Sequence, residues 1–309
     1  MPYKNVLQVK SLNKSFINIK AVDNISFSLE EGDIFAFLGP NGAGKTTTLR
    51  ILLDIIKADS GSIRWGLNGK ESLLPPADQI GYLPEERGLY LDVPIIRSLV
   101  YLASIRGMQP SQAKTTAMEW LEKLGLADRA KEKLQVLSKG NQQKIQFVAA
   151  ILHKPAFAIL DEPFSGLDPL NQEIFIDYIK ELNQQGTTVL LSSHQMSLVE
   201  KIAKKLFLID NGRELFNSTI TDIYKSFGSQ HILEIKFASQ IPYDQLQRLG
   251  NTESISTEES QQVKLILRPG TALNEVLEKL AGIEGLTHIQ SHNPNLHDIF
   301  INLVRMQKS

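Results

Sequence analysis

Gly39-Pro40-Asn41-Gly42-Ala43-Gly44-Lys45-Thr46 fits the pattern G-x-x-x-x-G-K-T at every defining position. The apolar run Ile34–Leu38 precedes it and reads as a buried strand. Thr46 to Ile56 follows, with Leu49, Leu52, Leu53 and Ile56 at helical spacing. Strand, glycine loop and helix together form the context in which this pattern cradles phosphate. Glycines let backbone N–H groups close around a polyphosphate, where a Cβ would obstruct the tight turn. The following helix turns its positive end toward the same anion. Lys45 supplies a mobile cation to the β- and γ-phosphates, and the Thr46 hydroxyl is placed to ligate Mg²⁺.

Composition sets the limits around this loop. The chain has 309 residues, 42% of them hydrophobic, enough for a proper core and about two domains. Its 33 basic and 34 acidic residues leave a net charge of −1, which argues against a nucleic-acid footprint. With no cysteine there are neither disulfides nor thiolate metal sites, which fits a reducing cytosol. No run approaches the roughly 20 apolar residues that span a bilayer. Met1-Pro2-Tyr3-Lys4-Asn5 leads into no apolar signal-peptide core. The chain alone is expected to be soluble, with any membrane role coming through a partner.

Outward from the loop, Val6–Val9 and Ile25–Leu29 read as strands, and Glu30-Glu31-Gly32 as the turn into Ile34–Leu38. Phe16 lies on the link between the first two strands, where it is equally readable as an adenine-stacking ring or as core. Ser60-Gly61-Ser62 turns the chain into an antiparallel edge at Ile63-Arg64-Trp65, and Gln79–Pro84 reads as a strand closing on the charged loop Pro84-Glu85-Glu86-Arg87-Gly88. A helical block occupies about 93–152, with segments Ile95–Arg106, Ser111–Leu124, Asp128–Lys133 and Ser138–Leu152. In the second segment Ser111 is the predicted N-cap after a Pro110 stop, and Gly125 the predicted C-cap. Leu137-Ser138-Lys139-Gly140-Asn141 opens the last helix with a second anion-receptive terminus.

Phe157-Ala158-Ile159-Leu160 is a short apolar strand ending in Asp161-Glu162-Pro163. A carboxylate at the C-terminal end of such a strand is the expected Mg²⁺ holder, and Glu162 next to it the expected acceptor of a proton from an attacking water. Ser165-Gly166-Leu167-Asp168-Pro169 is a turn before a helix at Gln172–Leu182, and His194 ends the strand Val189–Ser193 at the same sheet edge. Asn211-Gly212 predicts a hairpin. Beyond a linker at 218–230, ending in Phe227-Gly228-Ser229-Gln230, the order βαββαβ predicts a small α+β domain at 231–309. His288, His292 and His297 there do not complete a metal-ligand set.

With these pieces in order, residues 1–217 resemble the ATP-binding subunit of an ABC transporter. Gly39 to Thr46 is similar to Walker A, Leu137 to Asn141 to the signature motif, and Phe157 to Glu162 to Walker B. Ser165-Gly166-Leu167-Asp168 is similar to the D-loop and His194 to the switch histidine; Phe16 falls where the family places its adenine-stacking aromatic. The resemblance implies an α/β P-loop NTPase cassette: a mixed sheet core, an antiparallel β edge and a helical subdomain, followed by the small C-terminal α+β domain. It implies ATP and Mg²⁺ as cofactors. Phe16, Gly39, Pro40, Asn41, Gly42, Ala43, Gly44, Lys45, Thr46, Thr47, Ser138, Lys139, Gly140 and Asp168 would bind nucleotide. Thr46, Glu85 and Asp161 would hold Mg²⁺, while Glu162 and His194 would be catalytic.

Two positions depart from the family pattern. Glu85 stands where the family has the Q-loop glutamine, and the signature is Leu-Ser-Lys-Gly-Asn rather than Leu-Ser-Gly-Gly-Gln. Both departures resemble exporter ATPases of the sodium-extrusion and multidrug type. The resemblance therefore implies an ATP-dependent homodimer, or a dimer with a related ATPase subunit. That dimer would be docked on an integral-membrane permease at the cytoplasmic face and bind no nucleic acid. The rival readings are a soluble ABC-class ATPase of translation or DNA repair, disfavoured by the single Walker A, and a weakly hydrolysing regulatory cassette.

Overall fold

The structure, a computed structural model, describes residues 5–86, 88–227, 231–250, 252–268 and 270–308. The chain divides into two compact units, Met1–Ser218 and Thr219–Ser309.

The strands of the first unit are β1 (Asn5–Phe16), β2 (Ile19–Glu30), β3 (Ile34–Leu38), β4 (Ser60–Leu67), β5 (Lys70–Ser72), β6 (Ile80–Leu83), β7 (Phe157–Asp161), β8 (Thr188–Ser193), β9 (Lys205–Asp210) and β10 (Arg213–Thr219). Six of them form the central sheet in the order β10-β9-β3-β8-β7-β6. The pairs β3/β8, β3/β9, β7/β8 and β6/β7 are parallel. Every residue of β3, β7 and β8 is buried, as expected of parallel strands covered on both faces. Their C-terminal ends lie side by side, so Gly39, Glu162 and His194 emerge at one sheet edge, where α/β folds bind ligands. Asn211 and Gly212, at φ 46° and 77°, form the primed turn that the Asn-Gly pair predicts between β9 and β10.

A second sheet, β2-β1-β4-β5, is antiparallel and shares its core with the first. Trp65 meets Phe157 edge-on at 5.2 Å between ring centroids, and Phe27 stacks on Phe35 at 5.6 Å. Burying each such ring contributes about 1.5–3 kcal/mol. Here β1 and β2 are longer than their apolar cores suggest. The pairing continues to Phe16↔Ile19, so Phe16 ends a strand rather than lying on a link.

The first unit's helices are α1 (Lys45–Leu52), α2 (Ile95–Ile105), α3 (Pro110–Lys123), α4 (Lys139–Ile151), α5 (Pro169–Gln184) and α6 (Met196–Val199). Leu99, Ala113, Ala117, Leu121, Ile145 and Val148 give α2–α4 a core of their own. Three boundaries differ from expectation, two of them for a local reason. Pro110 is the first residue of α3 rather than a stop before Ser111, because its missing N–H costs nothing at that position. For the same reason α5 begins at Pro169, not Gln172. The segment 128–133 holds only the end of a 3₁₀ turn, Ala127–Arg129. Gly125 follows α3 at φ 66°, the left-handed closure that stops the helix.

The second unit comprises α7 (Ile220–Phe227), β11 (Ile232–Phe237), α8 (Tyr243–Gln247), β12 (Thr252–Glu259), β13 (Gln262–Leu267), α9 (Leu273–Ala281), β14 (Leu286–His292) and α10 (Leu296–Lys308). Its sheet order, β12-β13-β11-β14, with all neighbours antiparallel, is that of a split βαβ domain. Leu233, Ile235, Val263, Leu265, Val276 and Leu280 form its core. The stretch expected as a linker, 218–230, instead contains α7. Ile223 is buried on that helix; residues 228–230 of that stretch lie outside the described residues. Among the described residues no helix is long and apolar enough to cross a membrane.

Candidate functional site

The loop between β3 and α1 is wedged between backbone segments at Gly39 and Gly44, while Gly42 has open space but a left-handed φ of 81°. A Cβ on Gly39 would lie 2.2 Å from the Ile209 carbonyl oxygen. Gly44 sits at φ 103°, and a Cβ there would lie 2.1 Å from the Ala21 carbonyl oxygen. No side chain caps α1 and no acidic residue occupies its first turn, so the helix presents its positive end to an incoming anion. Lys45 is only 6% exposed. Its Nζ donates to the carbonyl oxygens of Gly39 (2.7 Å) and Pro40 (3.1 Å) and lies 3.4 Å from Glu162 Oε1. The cation is therefore held inside the loop, facing a cleft of about 180 Å³ lined by Ala21, Asn41–Thr47, Glu85 and Glu162.

Asp161 closes β7 and is fully buried. Its Oδ1 accepts from the Ser192 hydroxyl, while Oδ2 makes no hydrogen bond. Burial raises its pKa above the usual carboxylate range. The hydroxyls of Ser192 and Thr46 oppose that shift, and the charges of Glu85 and Glu162 reinforce it. An orphaned, buried carboxylate oxygen beside a threonine hydroxyl and a second carboxylate is a fitting donor set for a hard cation. Glu85 belongs to this group: Thr46 Oγ1 donates to its Oε2 at 3.4 Å. In the charged loop that holds Glu85, Arg87 lies outside the described residues.

Glu162 turns away from the strand at φ 50°, a left-handed conformation that costs a side-chain-bearing residue about 1–3 kcal/mol. Its amide donates to Ser192 Oγ (3.0 Å) and to the Ser192 carbonyl oxygen (3.3 Å), which hold the bend. The bend aims the carboxylate into the cleft. Oε2 lies 2.9 Å from His194 Nδ1, and Oε1 makes no hydrogen bond. Glu162 thus stands between two nitrogens, with Oε1 buried beside the Lys45 ammonium and Oε2 on His194.

The remaining expected residues are elsewhere. Ser138 caps α4, its Oγ accepting from the Asn141 amide at 3.3 Å. Gly140 faces the loop after Glu162; a Cβ there would come within 3.3 Å of the Gly166 carbonyl oxygen. Asp168 caps α5, accepting from the Asn171 amide at 3.0 Å, and this bond holds its carboxyl below the usual range. None of Ser138, Lys139, Gly140 and Asp168 lines the Lys45 cleft. Phe16 is 43% exposed at the end of β1 and does not line it either.

Sequence reasoning missed three residues. Ser192 anchors both Asp161 and Glu162. Gln146 Nε2 donates to the carbonyl oxygens of Pro84 and Glu86 at 3.0 Å each, tying the Glu85 loop to α4. Gln143 Nε2 donates to the Pro163 carbonyl oxygen at 3.1 Å, tying the same helix to the loop after Glu162. Two glutamines one helical turn apart were the available signal, and their burial was not legible.

Residues 22–165 match the family described as "ABC transporter", and residues 219–304 match "ATP-binding protein DrrA1-3-like, C-terminal domain". The chain is 38% identical over 301 residues to "Uncharacterized ABC transporter ATP-binding protein YhaQ" of Bacillus subtilis, covering 97% of this chain and 98% of that protein. It is 32% identical over 306 residues to "Linearmycin resistance ATP-binding protein LnrL" of the same organism, covering 96% of this chain and 98% of the relative. Among solved structures, "Structure of ATP binding subunit of ABC transporter" superposes with a TM-score of 0.65 at 29% identity, covering 72% of this chain and 93% of that one.

Proposed function

The chain belongs to the ABC transporter ATP-binding proteins, and from that membership we propose a division of labour in which each ATP is enclosed by two copies of the chain. The protein is the ATP-hydrolysing subunit of a transporter. The observation that carries the proposal is the separation of its two anion-receptive termini. The start of α1 faces the Lys45 cleft, whereas the Ser138–Gly140 start of α4 lies outside it. One copy alone leaves the γ-phosphate facing solvent. A second copy, turned head to tail, would bring Ser138, Lys139 and Gly140 onto that phosphate and exclude water.

In this reading the loop amides of residues 39–47 and the Lys45 ammonium take the β- and γ-phosphates. Binding requires Lys45 to exchange its two carbonyl partners and Glu162 for phosphate oxygens. The exchange frees Glu162 to accept a proton from the attacking water through Oε1, which Lys45 would have vacated. His194, released from Oε2, turns to the γ-phosphate, and Phe16 stacks on the base. Thr46, Asp161 and Glu85 would hold Mg²⁺, which neutralises phosphate charge when bound. Among the described residues no three His, Asp or Glu side chains form a complete cage. The ion would therefore share its shell with phosphate and water, as Mg²⁺ prefers.

Gln143 and Gln146 link α4 to the loops that carry Glu162 and Glu85, so closure at the nucleotide can move the helical block. We place a separate membrane permease at the receiving end, on the cytoplasmic side, and assign export as the direction. The support is the resistance-type relative and the exporter-like signature. The test is nucleotide binding by Lys45→Ala. Affinity for ATP should fall below detection in an equilibrium titration, and unchanged affinity would refute the role of the loop.

A further inference from the structure

On β1, Lys14 and Phe16 are two residues apart and therefore point to the same face. The Lys14 Nζ stands over the Phe16 ring, 5.3 Å from its centroid, within the range of a cation–π contact. The ammonium is not left to wander. Asp59 Oδ1 accepts from it at 2.8 Å, and Asp59 Oδ2 accepts from the Ser15 amide at 2.7 Å. Antiparallel pairing of Asn13 with Ser60 brings Asp59 beside this end of β1, and the Asp59 amide donates to the Asn13 carbonyl oxygen at 2.9 Å. The Lys14 side chain is only 17% exposed, whereas Phe16 remains 43% exposed. One face of the ring is therefore backed by a fixed charge and the rest is offered to solvent.

The same hairpin also abuts the phosphate loop. Ala21, a few residues past the turn from Phe16, lines the Lys45 cleft, and its carbonyl oxygen is the group that forbids a side chain at Gly44. A ring held at the hairpin end is thus held relative to the triphosphate.

We propose that Lys14, locked by Asp59, is a positioning residue for the nucleotide base: it occupies one face of Phe16 and leaves the opposite face for an adenine to stack on. The inference rests on the reading of Phe16 as the base-stacking ring. A cation behind the ring draws electron density away from its far face, which favours an electron-rich purine over a smaller pyrimidine. It also fixes the ring, so less side-chain freedom is lost when the base arrives. Lys14 touches no phosphate in this arrangement, so its effect should appear in base selection and not in the chemical step.

The test compares ATP with CTP as substrates of the full-length chain, with inorganic tripolyphosphate as a competitor that lacks a base. Lys14→Met keeps the aliphatic stem and removes the charge. It should raise KM for ATP about two- to fivefold, change KM for CTP less, and leave kcat and tripolyphosphate inhibition within twofold. Asp59→Asn should reproduce the direction, and Lys14→Arg should restore the ATP preference. Phe16→Leu separates the two layers of the argument. If Phe16→Leu lowers the ATP-to-CTP preference but Lys14→Met does not, the role of Lys14 is overturned while that of Phe16 stands. If Phe16→Leu leaves the preference intact, the base-stacking reading falls and the Lys14 inference with it. A Lys14→Met variant that weakens tripolyphosphate as much as ATP would likewise overturn the proposal, since that pattern belongs to a general loss of fold.

Discussion

Replacing Glu162 by glutamine tests the chemistry at the point where the geometry is most specific. The residue is 4% exposed, with Oε2 2.9 Å from His194 Nδ1 and Oε1 free of hydrogen bonds. Glutamine has the same size, tolerates the φ 50° backbone as well as glutamate does, and keeps an oxygen for His194. What it lacks is a proton acceptor of useful basicity. A positioned general base contributes about 10²–10⁴ in rate, so turnover should fall by that factor, or about 3–5 kcal/mol of barrier. Binding should not fall with it. The substitution also removes a carboxylate oxygen 3.4 Å from the Lys45 ammonium, leaving the cation freer to meet phosphate. The assay is phosphate release from Mg-ATP beside an equilibrium titration of a fluorescent ATP analogue. Turnover within tenfold of the unmodified chain would refute Glu162 as the base.

Two further substitutions probe the acidic cluster. Burial raises the Asp161 pKa, so its carboxyl supports the fold fully only below the unfolded value of about 4 and loses that contribution as pH rises through the raised value. Asp161→Asn should therefore raise the melting temperature of the nucleotide-free chain in chelator at pH 8, with the gain shrinking toward pH 4, while abolishing Mg-dependent turnover. An equal gain at both pH values would show that burial of the charge is not the cause. Glu85→Gln exchanges an anionic oxygen for a neutral one beside Thr46. Half-maximal turnover should then require severalfold more Mg²⁺, and an unchanged requirement would make this position irrelevant to the metal.

The phosphate loop, Asp161 and His194 were legible in the chain because each is announced by a local pattern: a glycine spacing, or a polar residue ending an apolar run. The split βαβ order of the second unit was legible from the same alternation. Boundaries were less so, since a proline such as Pro110 or Pro169 fits the first helical position as readily as the residue before a helix. The left-handed bend at Glu162 leaves no mark in the sequence, because glutamate has no preference for that conformation and Ser192, thirty residues on, enforces it. The same is true of Asp59 beneath Lys14: the register of β1 against β4 makes that contact, and residue spacing alone does not reveal it.

The central claim is that a Lys45 cleft and a Ser138 terminus from different copies enclose each ATP. The measurement that bears on it most directly is the molar mass of Glu162→Gln in solution, by light scattering, with and without Mg-ATP. The account predicts a single-chain mass without nucleotide and a doubled mass with it. A mass that stays at one chain under saturating Mg-ATP would contradict it.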